Sequence, residues 1–471
     1  MSDPAAYDPD LLKFPLPRPS GGRHRERPNV VVFFTDQQRW DTVGALGNPL
    51  GLTPNFDRAA EDGTLVERSF TVQPVCGPSR ACLQTGRYAT QNGTYRNEIP
   101  LAADVHTLGA AFRNAGYRTG YIGKWHLASR DPVPEGERAG YQDWLAANKL
   151  EFTSDAYHTV VYGADERPVK LPGYRVDALT DAAIRYLDAH QAEPFFLFLS
   201  HLEPHHQNHV DAYPAPHGFE ERFGGSWLPT DLAALGGSSA RHLPGYLGMV
   251  KRLDEAFGRV LDALDSLGLR EDTVVLFTSD HGNHFKTRNA EYKRSGHDAS
   301  LRVPTVLTGP GFEGGSRVRE LVSTLDLHAT LLDAAGLPPG AGVEGRSILP
   351  LLRPGPHDWP DALFFQVSES EVGRGLRTDR WKYGVHAPGA DPWTQAHADR
   401  YVEAYLYDLA YDPFELENLI GQASHQGVAA GLRERLLAAM ARIGEPAAAI
   451  DPAPAKPRYE QRQVLPGEEE A

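Results

Sequence analysis

The feature that most constrains this chain is an alternation of short, wholly apolar runs with amphipathic stretches of helical period. Residues 30–34, 195–199 and 274–277 are apolar, and 117–122 is a weaker run of the same kind. Helical patterns lie between them at 108–114, 176–190 and 246–267. In the last, Leu247, Val250, Leu253, Phe257 and Leu261 fall on one face. Strands linked through helices in this way predict an α/β domain with a mostly parallel sheet.

A second region starts after the proline-rich stretch 349–360. Strand-like pieces at 362–367, 381–385 and 403–408 precede one amphipathic helix at 427–443, which predicts a small antiparallel sheet with a helix packed on it. The expected organisation is an N-terminal arm (1–27), a catalytic domain (28–355), a small C-terminal α+β subdomain (356–450) and a flexible tail (451–471) ending in Glu468-Glu469-Glu470. Residues 340–345 fit G-x-G-x-x-G, but they follow a Leu-Pro-Pro loop rather than a strand, so a dinucleotide site is rejected.

Forty-seven Lys and Arg against 62 Asp and Glu give a net charge of −15. That argues against nucleic acid or an anionic membrane as partner, and any anionic substrate must be captured by local positive groups. Residues 1–28 contain no apolar stretch of about 7–15 residues of the kind a signal peptide needs. No run approaches the roughly 18 residues of a membrane span. The expectation is a cytoplasmic protein, for which the sequon Asn92-Gly93-Thr94 has no meaning. The two cysteines, six residues apart, cannot form a disulfide framework.

In open α/β sheets ligands bind beyond the carboxyl ends of the strands. Here those ends deliver Thr35-Asp36-Gln37-Gln38-Arg39, Gly123-Lys124-Trp125-His126, Ser200-His201-Leu202-Glu203-Pro204-His205-His206 and Ser279-Asp280-His281-Gly282-Asn283-His284. Asp36, Asp280 and the amide oxygen of Gln37 are hard oxygen donors suited to Ca²⁺ or Mg²⁺, and His281 is placed to join or orient them. Asp36 alone would read as a helix cap; paired with Asp280 at a matching strand end, it reads as a metal ligand. Cys76 lies where an apolar strand gives way to a helix, in Val75-Cys76-Gly77-Pro78-Ser79-Arg80. With Pro78 in the first turn, the helix N-terminus is expected to face the groups beside Cys76 as an anion site. Arg80 is placed to hold the cysteine-derived group or the metal ligands. Cys82 falls on the apolar side of the same helix and is read as core.

The run Cys76-Gly77-Pro78-Ser79-Arg80 followed by Thr85-Gly86 resembles the signature of the type I sulfatases, in the alkaline phosphatase superfamily. The resemblance extends over residues 28–420. It includes Gly123-Lys124-Trp125-His126, Asp280-His281-Gly282, Lys293 ahead of Leu301-Arg302-Val303-Pro304, Gly345-Arg346-Ser347, Arg380-Trp381-Lys382-Tyr383 and Leu406-Tyr407-Asp408-Leu409. It implies an α/β fold in which helices sandwich a large, mostly parallel mixed sheet, with a smaller C-terminal antiparallel sheet plus helix.

The resemblance also implies that Cys76 is oxidised to formylglycine by a formylglycine-generating enzyme. The hydrated aldehyde would attack sulfur, and its second hydroxyl would then expel sulfate. Asp36, Gln37, Asp280, His281 and residue 76 would hold one divalent cation, Ca²⁺ first, with Mg²⁺ or Mn²⁺ as alternatives. Arg80 would stabilise the hydrate, while Lys124, His126, His205 and Lys293 would bind sulfate or move protons. Substrate-binding roles fall to His201, His206, His284, Lys286, Arg288 and His297. For His206 and His209 a polar loop face stands beside a functional reading, and a zinc site in the loop 201–209 is a lesser alternative.

Many relatives have Asp-Asp where this chain has Asp36-Gln37, which removes one negative ligand. The expected activity is hydrolysis of a sulfate monoester of a carbohydrate or other small molecule, with residues 131–170 and 201–242 as recognition loops. The alternative enzyme is a phosphonate monoester or phosphodiester hydrolase, since related enzymes share formylglycine and a single Asp-Gln. A catalytically silent binding protein would require Cys76 to stay a thiol. The sequence leaves the oligomeric state open.

Overall fold

The computed structural model of the chain describes residues 27–456; residues 1–26 of the arm and 457–471 of the tail lie outside the described residues. The apolar runs form strands Asn29–Thr35, Arg118–Lys124, Phe195–Ser200 and Thr273–Ser279. They sit in the middle of a ten-stranded sheet, in the order Thr273–Ser279, Asn29–Thr35, Phe195–Ser200, Arg118–Lys124, followed by Asp143–Ala147, all parallel. Phe34 pairs with Ser200 on one side and Thr278 on the other, and Thr35 with Ser279. The carboxyl ends therefore finish level, and the polar segments after them emerge together.

Toward both edges the pairing turns antiparallel, at Val306–Thr308 on one side and Thr159–Gly163 and Pro168–Leu171 on the other. Asp143–Ala147, Thr159–Gly163 and Pro168–Leu171 correct the reading of 131–170 as a recognition loop. They are short and partly exposed, so they lack the unbroken apolar run that marks a central strand.

Side chains alternate across the sheet with period two. Val31 and Phe33 face the helices Arg175–Ala189 and Ser239–Ser266, packing with Leu179, Leu253 and Phe257. Val30 and Val32 face the opposite layer, with Leu83 of helix Cys76–Thr85, Phe112 of Leu108–Asn114 and Leu327 of Thr324–Ala334. Each such large apolar side chain contributes about 1.5–3 kcal/mol by burial. Helix Ser239–Ser266 starts seven residues before the expected boundary at 246 and carries Pro244 inside it. Its entry is fixed by a tertiary contact, Ser238 N–H to the carbonyl of Phe285 at 2.7 Å, that the helical period does not encode.

The C-terminal sheet runs Ala362–Val367, Gly373–Thr378, Trp381–His386, Arg400–Asp408, Ala449–Asp451, antiparallel except for the last pair. Helix Gln426–Arg442 buries Leu432, Leu436 and Met440 in the same apolar cluster. The strand Gly373–Thr378, Gly-Arg-Gly-Leu-Arg-Thr, has no apolar alternation to reveal it. Arg374 and Arg377 are buried there because Glu445 and Asp298 lie at 2.8 and 3.6 Å. Gly375 is required by space, since a Cβ would come within 2.2 Å of the Phe365 ring. Residues 451–456, read as the start of the tail, belong to the packed chain: Asp451 ends the last strand, and Lys456 N–H donates to the carbonyl of Gly421 at 2.9 Å. Among the described residues no helix is long and apolar enough to cross a membrane.

Candidate active site

Asp36-Gln37 and Asp280-His281 follow adjacent parallel strands in register, so they lie side by side. The Asp280 carboxylate accepts the main-chain N–H of Gln37 at 2.9 Å and of His281 at 2.8 Å. Helix Cys76–Thr85 is pinned to the same strand end by Ser79, whose hydroxyl donates to the carbonyl of Asp280 at 2.5 Å. Cys76 Sγ consequently sits 3.5 Å from Asp36 Oδ1 and 3.3 Å from His281 Nε2. Donor atoms of Asp36, Cys76, Asp280 and His281 all fall within 4.8 Å of one another, and all four residues are buried.

This donor set fits a divalent cation. The carbonyl of Gly282 is 2.9 Å from His281 Nδ1 and fixes the proton there, leaving the Nε2 lone pair toward the cluster. Gln37, held in left-handed backbone (φ 69°), donates its amide N–H to the hydroxyl of Tyr213 at 3.2 Å. Its Oε1 is buried with no hydrogen-bond partner among the described residues. An unpaired buried acceptor costs about 1–3 kcal/mol, a cost that metal coordination removes. Burial would raise Asp36, but Lys124, His205, Arg80 and Lys293 hold it well below the usual carboxylate range. Asp280 is pushed up to about 7 by burial and by the charge of Asp36. Two carboxylates, an amide oxygen and one neutral imidazole suit Ca²⁺, Mg²⁺ or Mn²⁺.

Three cations surround the cluster. Arg80 spends its guanidinium on the carboxylates and the strand ends: Asp36 at 2.8 Å, Asp280 at 3.4 Å, and the carbonyl of Lys124 and hydroxyl of Ser200 at 2.8 Å each. Lys124 lies between Asp36 (2.8 Å) and Glu151 (3.0 Å). Lys293 reaches furthest in, 2.7 Å from Cys76 Sγ and 3.0 Å from His205 Nε2. Burial, then Lys293, keeps His205 neutral; burial, then Lys124, does so for the half-buried His126. The Cys76 thiol is pushed up to about 12 by burial and Asp36, so the encoded side chain is no thiolate nucleophile at neutral pH.

Several residues assigned to substrate binding have other surroundings. His201 is buried with its ring 4.8 Å from that of Phe33, because Ser200 takes the face toward Arg80 and its neighbour must take the other. His297 bonds Ser295 and Tyr407 and packs on Tyr405 of the C-terminal sheet. Arg288 donates to the carbonyls of Phe414 and Glu415. His284 is buried and bonds the carbonyl of Lys293 at 2.9 Å, supporting the segment that carries this lysine. These four are corrected to structural contacts. His206 stacks on His205 (4.4 Å) and stays beside the site, while Lys286 pairs with Asp211 at 3.3 Å and lies over Tyr292. His209 is largely exposed and pairs with Asp155.

The helix N-terminus is also not an open anion site. Gly77 N–H is taken by Asn97 Oδ1 at 2.9 Å, Pro78 has none to give, and Ser79 N–H bonds the carbonyl of Val75. Sequence reasoning missed Asn97, Glu151, Tyr213 and Glu369, which sit on loops or edge elements with no spacing signal. Ser200 was within reach, as the last residue of a strand whose end had already been singled out.

Level strand ends, a buried candidate cation cluster and a cysteine at a helix start define a class that sequence comparison identifies. A family model described as Sulfatase matches residues 28–337, and a second, described as N-sulphoglucosamine sulphohydrolase, C-terminal, matches residues 290–442. The chain belongs to the sulfatase family of the alkaline phosphatase superfamily, and it is a sulfatase enzyme.

Among its relatives, an ulvan-active sulfatase of Formosa agariphila is 29% identical over 89% of this chain and 82% of its own length. An N-acetylglucosamine-6-O-sulfatase of Bacteroides thetaiotaomicron is 24% identical over 85% and 84%. The fold is shared with a solved complex with D-glucosamine-2-N,6-O-disulfate (TM-score 0.72, 23% identity, 89% of this chain and 98% of that one). It is also shared with a phosphonate monoester hydrolase of Agrobacterium radiobacter (TM-score 0.65, 25% identity, 88% and 96%).

Proposed function

We propose that the protein hydrolyses the sulfate monoester of a sulfated carbohydrate at residue 76, after oxidation of Cys76 to formylglycine. The observation that carries this reading is the place of Cys76 Sγ, at the focus of Lys293, His281 and Asp36 within 3.5 Å. A thiol held near pKa 12 does no chemistry in that place, whereas an aldehyde hydrate there supplies an oxygen nucleophile and a route for releasing sulfate. Asp36, Gln37, Asp280 and His281 would hold one Ca²⁺, which polarises sulfate oxygens and offsets the two carboxylates.

The chain's own groups divide the remaining work. Arg80 locks Asp36 and Asp280 in place. Lys124 and Lys293 bind sulfate oxygens, and with the cation they make the site locally positive in a chain of charge −15. Lys293 Nζ and His205 Nε2, 3.0 Å apart, share the proton nearest residue 76. His126, neutral and half-buried, is assigned to proton transfer at the leaving alcohol. The carbohydrate class is supported by the ulvan-active and N-acetylglucosamine-6-O-sulfatase relatives.

A second reading, hydrolysis of a phosphonate monoester or phosphodiester, is favoured by Gln37, whose amide replaces a carboxylate and lowers ligand charge. One panel separates the two. Matured enzyme, with conversion of Cys76 read by peptide mass spectrometry, is assayed on sulfated monosaccharides, a phosphodiester and a phosphonate monoester. The highest kcat/KM is expected on a sulfated sugar. Dominant phosphodiesterase activity, or full activity with an unmodified thiol, overturns the proposal.

A further inference from the structure

Two arms of the site meet at one carboxylate that comes from outside the large sheet. Glu369 follows strand Ala362–Val367 of the C-terminal sheet, and its side chain is fully buried. Its Oε1 accepts the main-chain N–H of Asn97 at 2.6 Å, and its Oε2 lies 3.5 Å from the Asn97 amide nitrogen and 2.6 Å from Arg294 Nη2. Asn97 passes the contact on: its Oδ1 accepts the N–H of Gly77, the residue after Cys76. There is no room for adjustment at that point, because a Cβ on Gly77 would lie 2.9 Å from Asn97 Oδ1. Arg294 carries the other arm, as the neighbour of Lys293, whose ammonium is 2.7 Å from Cys76 Sγ.

The backbone supports reading this as a tuned contact. Glu369 (φ 67°) and Arg294 (φ 63°) both adopt left-handed conformations, which cost residues bearing a Cβ on the order of 1–3 kcal/mol each and persist only where surroundings over-determine them. The loop around Arg294 is tied down twice more, by Arg294 N–H to the carbonyl of Pro74 at 3.2 Å and by the Ser370 hydroxyl to the carbonyl of Arg294 at 2.7 Å. Docking of the C-terminal sheet alone does not require this arrangement. Other buried contacts already join the two parts, with Lys382 bound to Asp298 and Glu415, and Arg288 to the carbonyls at 414 and 415. Glu369 instead reaches segments one residue removed from the groups at the focus.

We propose that Glu369 is the positioning residue that sets the separation between residue 76 and Lys293, through Asn97 and Gly77 on one side and Arg294 on the other. It does not touch the reacting atoms. The proposal rests on the reading of residue 76 and Lys293 given above. It makes the C-terminal sheet part of the active site, since residues 28–337, which match the Sulfatase model, do not contain this carboxylate.

The test uses the full-length enzyme with conversion of Cys76 checked in every variant. Glu369→Gln keeps an acceptor for Asn97 but discharges the pair with Arg294; Glu369→Asp keeps charge and shortens the reach. In both, kcat/KM on a sulfated monosaccharide is expected to fall about 10- to 100-fold, mostly in kcat, as for a catalytic group displaced by about 1 Å. In a Lys293→Ala background the same Glu369→Gln change should cost less than about threefold, because the group it positions is gone. Equal losses in both backgrounds, or activity within about twofold of wild type, overturn the proposal. Wild-type enzyme inactive on sulfate esters would count against the proposed function instead. The crystal structure of Glu369→Gln then decides alone: Lys293 Nζ still in contact with residue 76 refutes the positioning role.

Discussion

Lys382 is fully buried at the seam between the two sheets, bonded to Asp298 and 2.9 Å from Glu415. Replacing it with Met leaves two buried carboxylates with one neighbouring cation fewer. Asp298 measures what is lost. Burial alone would raise its pKa, yet Lys382 and then Arg377, at 3.6 Å, bring it down from the ordinary 3.8 to about 2. That gap is worth roughly 2–3 kcal/mol. Glu415 moves the opposite way, raised by burial and by Asp298 in spite of Lys382, because one ammonium cannot neutralise two carboxylates. Counting the remaining help from Arg377, Lys382→Met is expected to cost about 3 kcal/mol at pH 7, near the lower end for breaking a buried pair.

Hydrogen exchange of strand Trp381–His386 reads this locally, without assuming that a chain of this size unfolds in one step. Protection should drop by about two orders of magnitude at pH 7. The pH dependence has a definite sign. A depressed carboxylate contributes stability above its unfolded pKa and loses it as pH falls through the folded value, so the Asp298 part of the difference between wild type and variant should shrink below pH 4 and vanish near pH 2. Adding Asp298→Asn and Glu415→Gln to Lys382→Met should recover most of the loss, since neutral partners no longer demand a cation. A triple variant as unstable as the single one, or a single variant that loses less than about 1 kcal/mol, would show that this network does not hold the seam.

Cys76→Ala should abolish turnover with the fold intact by circular dichroism. Cys82→Ala, in the apolar cluster with Phe70 and Tyr88, should keep most activity and cost about 1 kcal/mol in urea titration. Equal activity losses would mean the two thiols have been wrongly separated. Tyr213→Phe removes the hydroxyl that orients Gln37 and should weaken Ca²⁺ binding about 10- to 100-fold by calorimetry. An unchanged Kd would remove Gln37 from the ligand set. EDTA treatment should lower the melting temperature, and Ca²⁺ at a hundredfold over its Kd should restore about 2.7 kcal/mol. A melting temperature indifferent to both would refute a cation in the Asp36–Asp280 cluster.

What the sequence made legible is what local pattern encodes. Four apolar runs predicted four central strands because a strand covered on both faces has nowhere to place polar residues, and the rule for strand ends then located Asp36, Lys124, His205 and Asp280 without coordinates. The misses follow from the same physics. Thr159–Gly163 and Pro168–Leu171 lie at the sheet edge, where half the side chains meet water and the run dissolves. Gly373–Thr378 hides because its buried positions are arginines, made tolerable only by Glu445 and Asp298 from distant segments. His201 was assigned to substrate since it stands next to Ser200, but adjacent residues on an extended chain point to opposite faces, so nearness in sequence to a site residue argues against sharing its site.

The residues hardest to read were those that complete the site's charge. Lys124 was visible at a strand end, yet the Glu151 that balances it is 27 positions away on the short helix Leu150–Thr153, and Glu369 comes from the other sheet altogether. A lone buried carboxylate has no periodicity, since its place is set by whichever cation the fold brings to it. The order of legibility is therefore physical: apolar period first, strand-end chemistry second, and buried counter-charges only when the fold is known. In this chain the last group includes Glu369, the residue through which the C-terminal sheet reaches the segments beside Cys76 and Lys293.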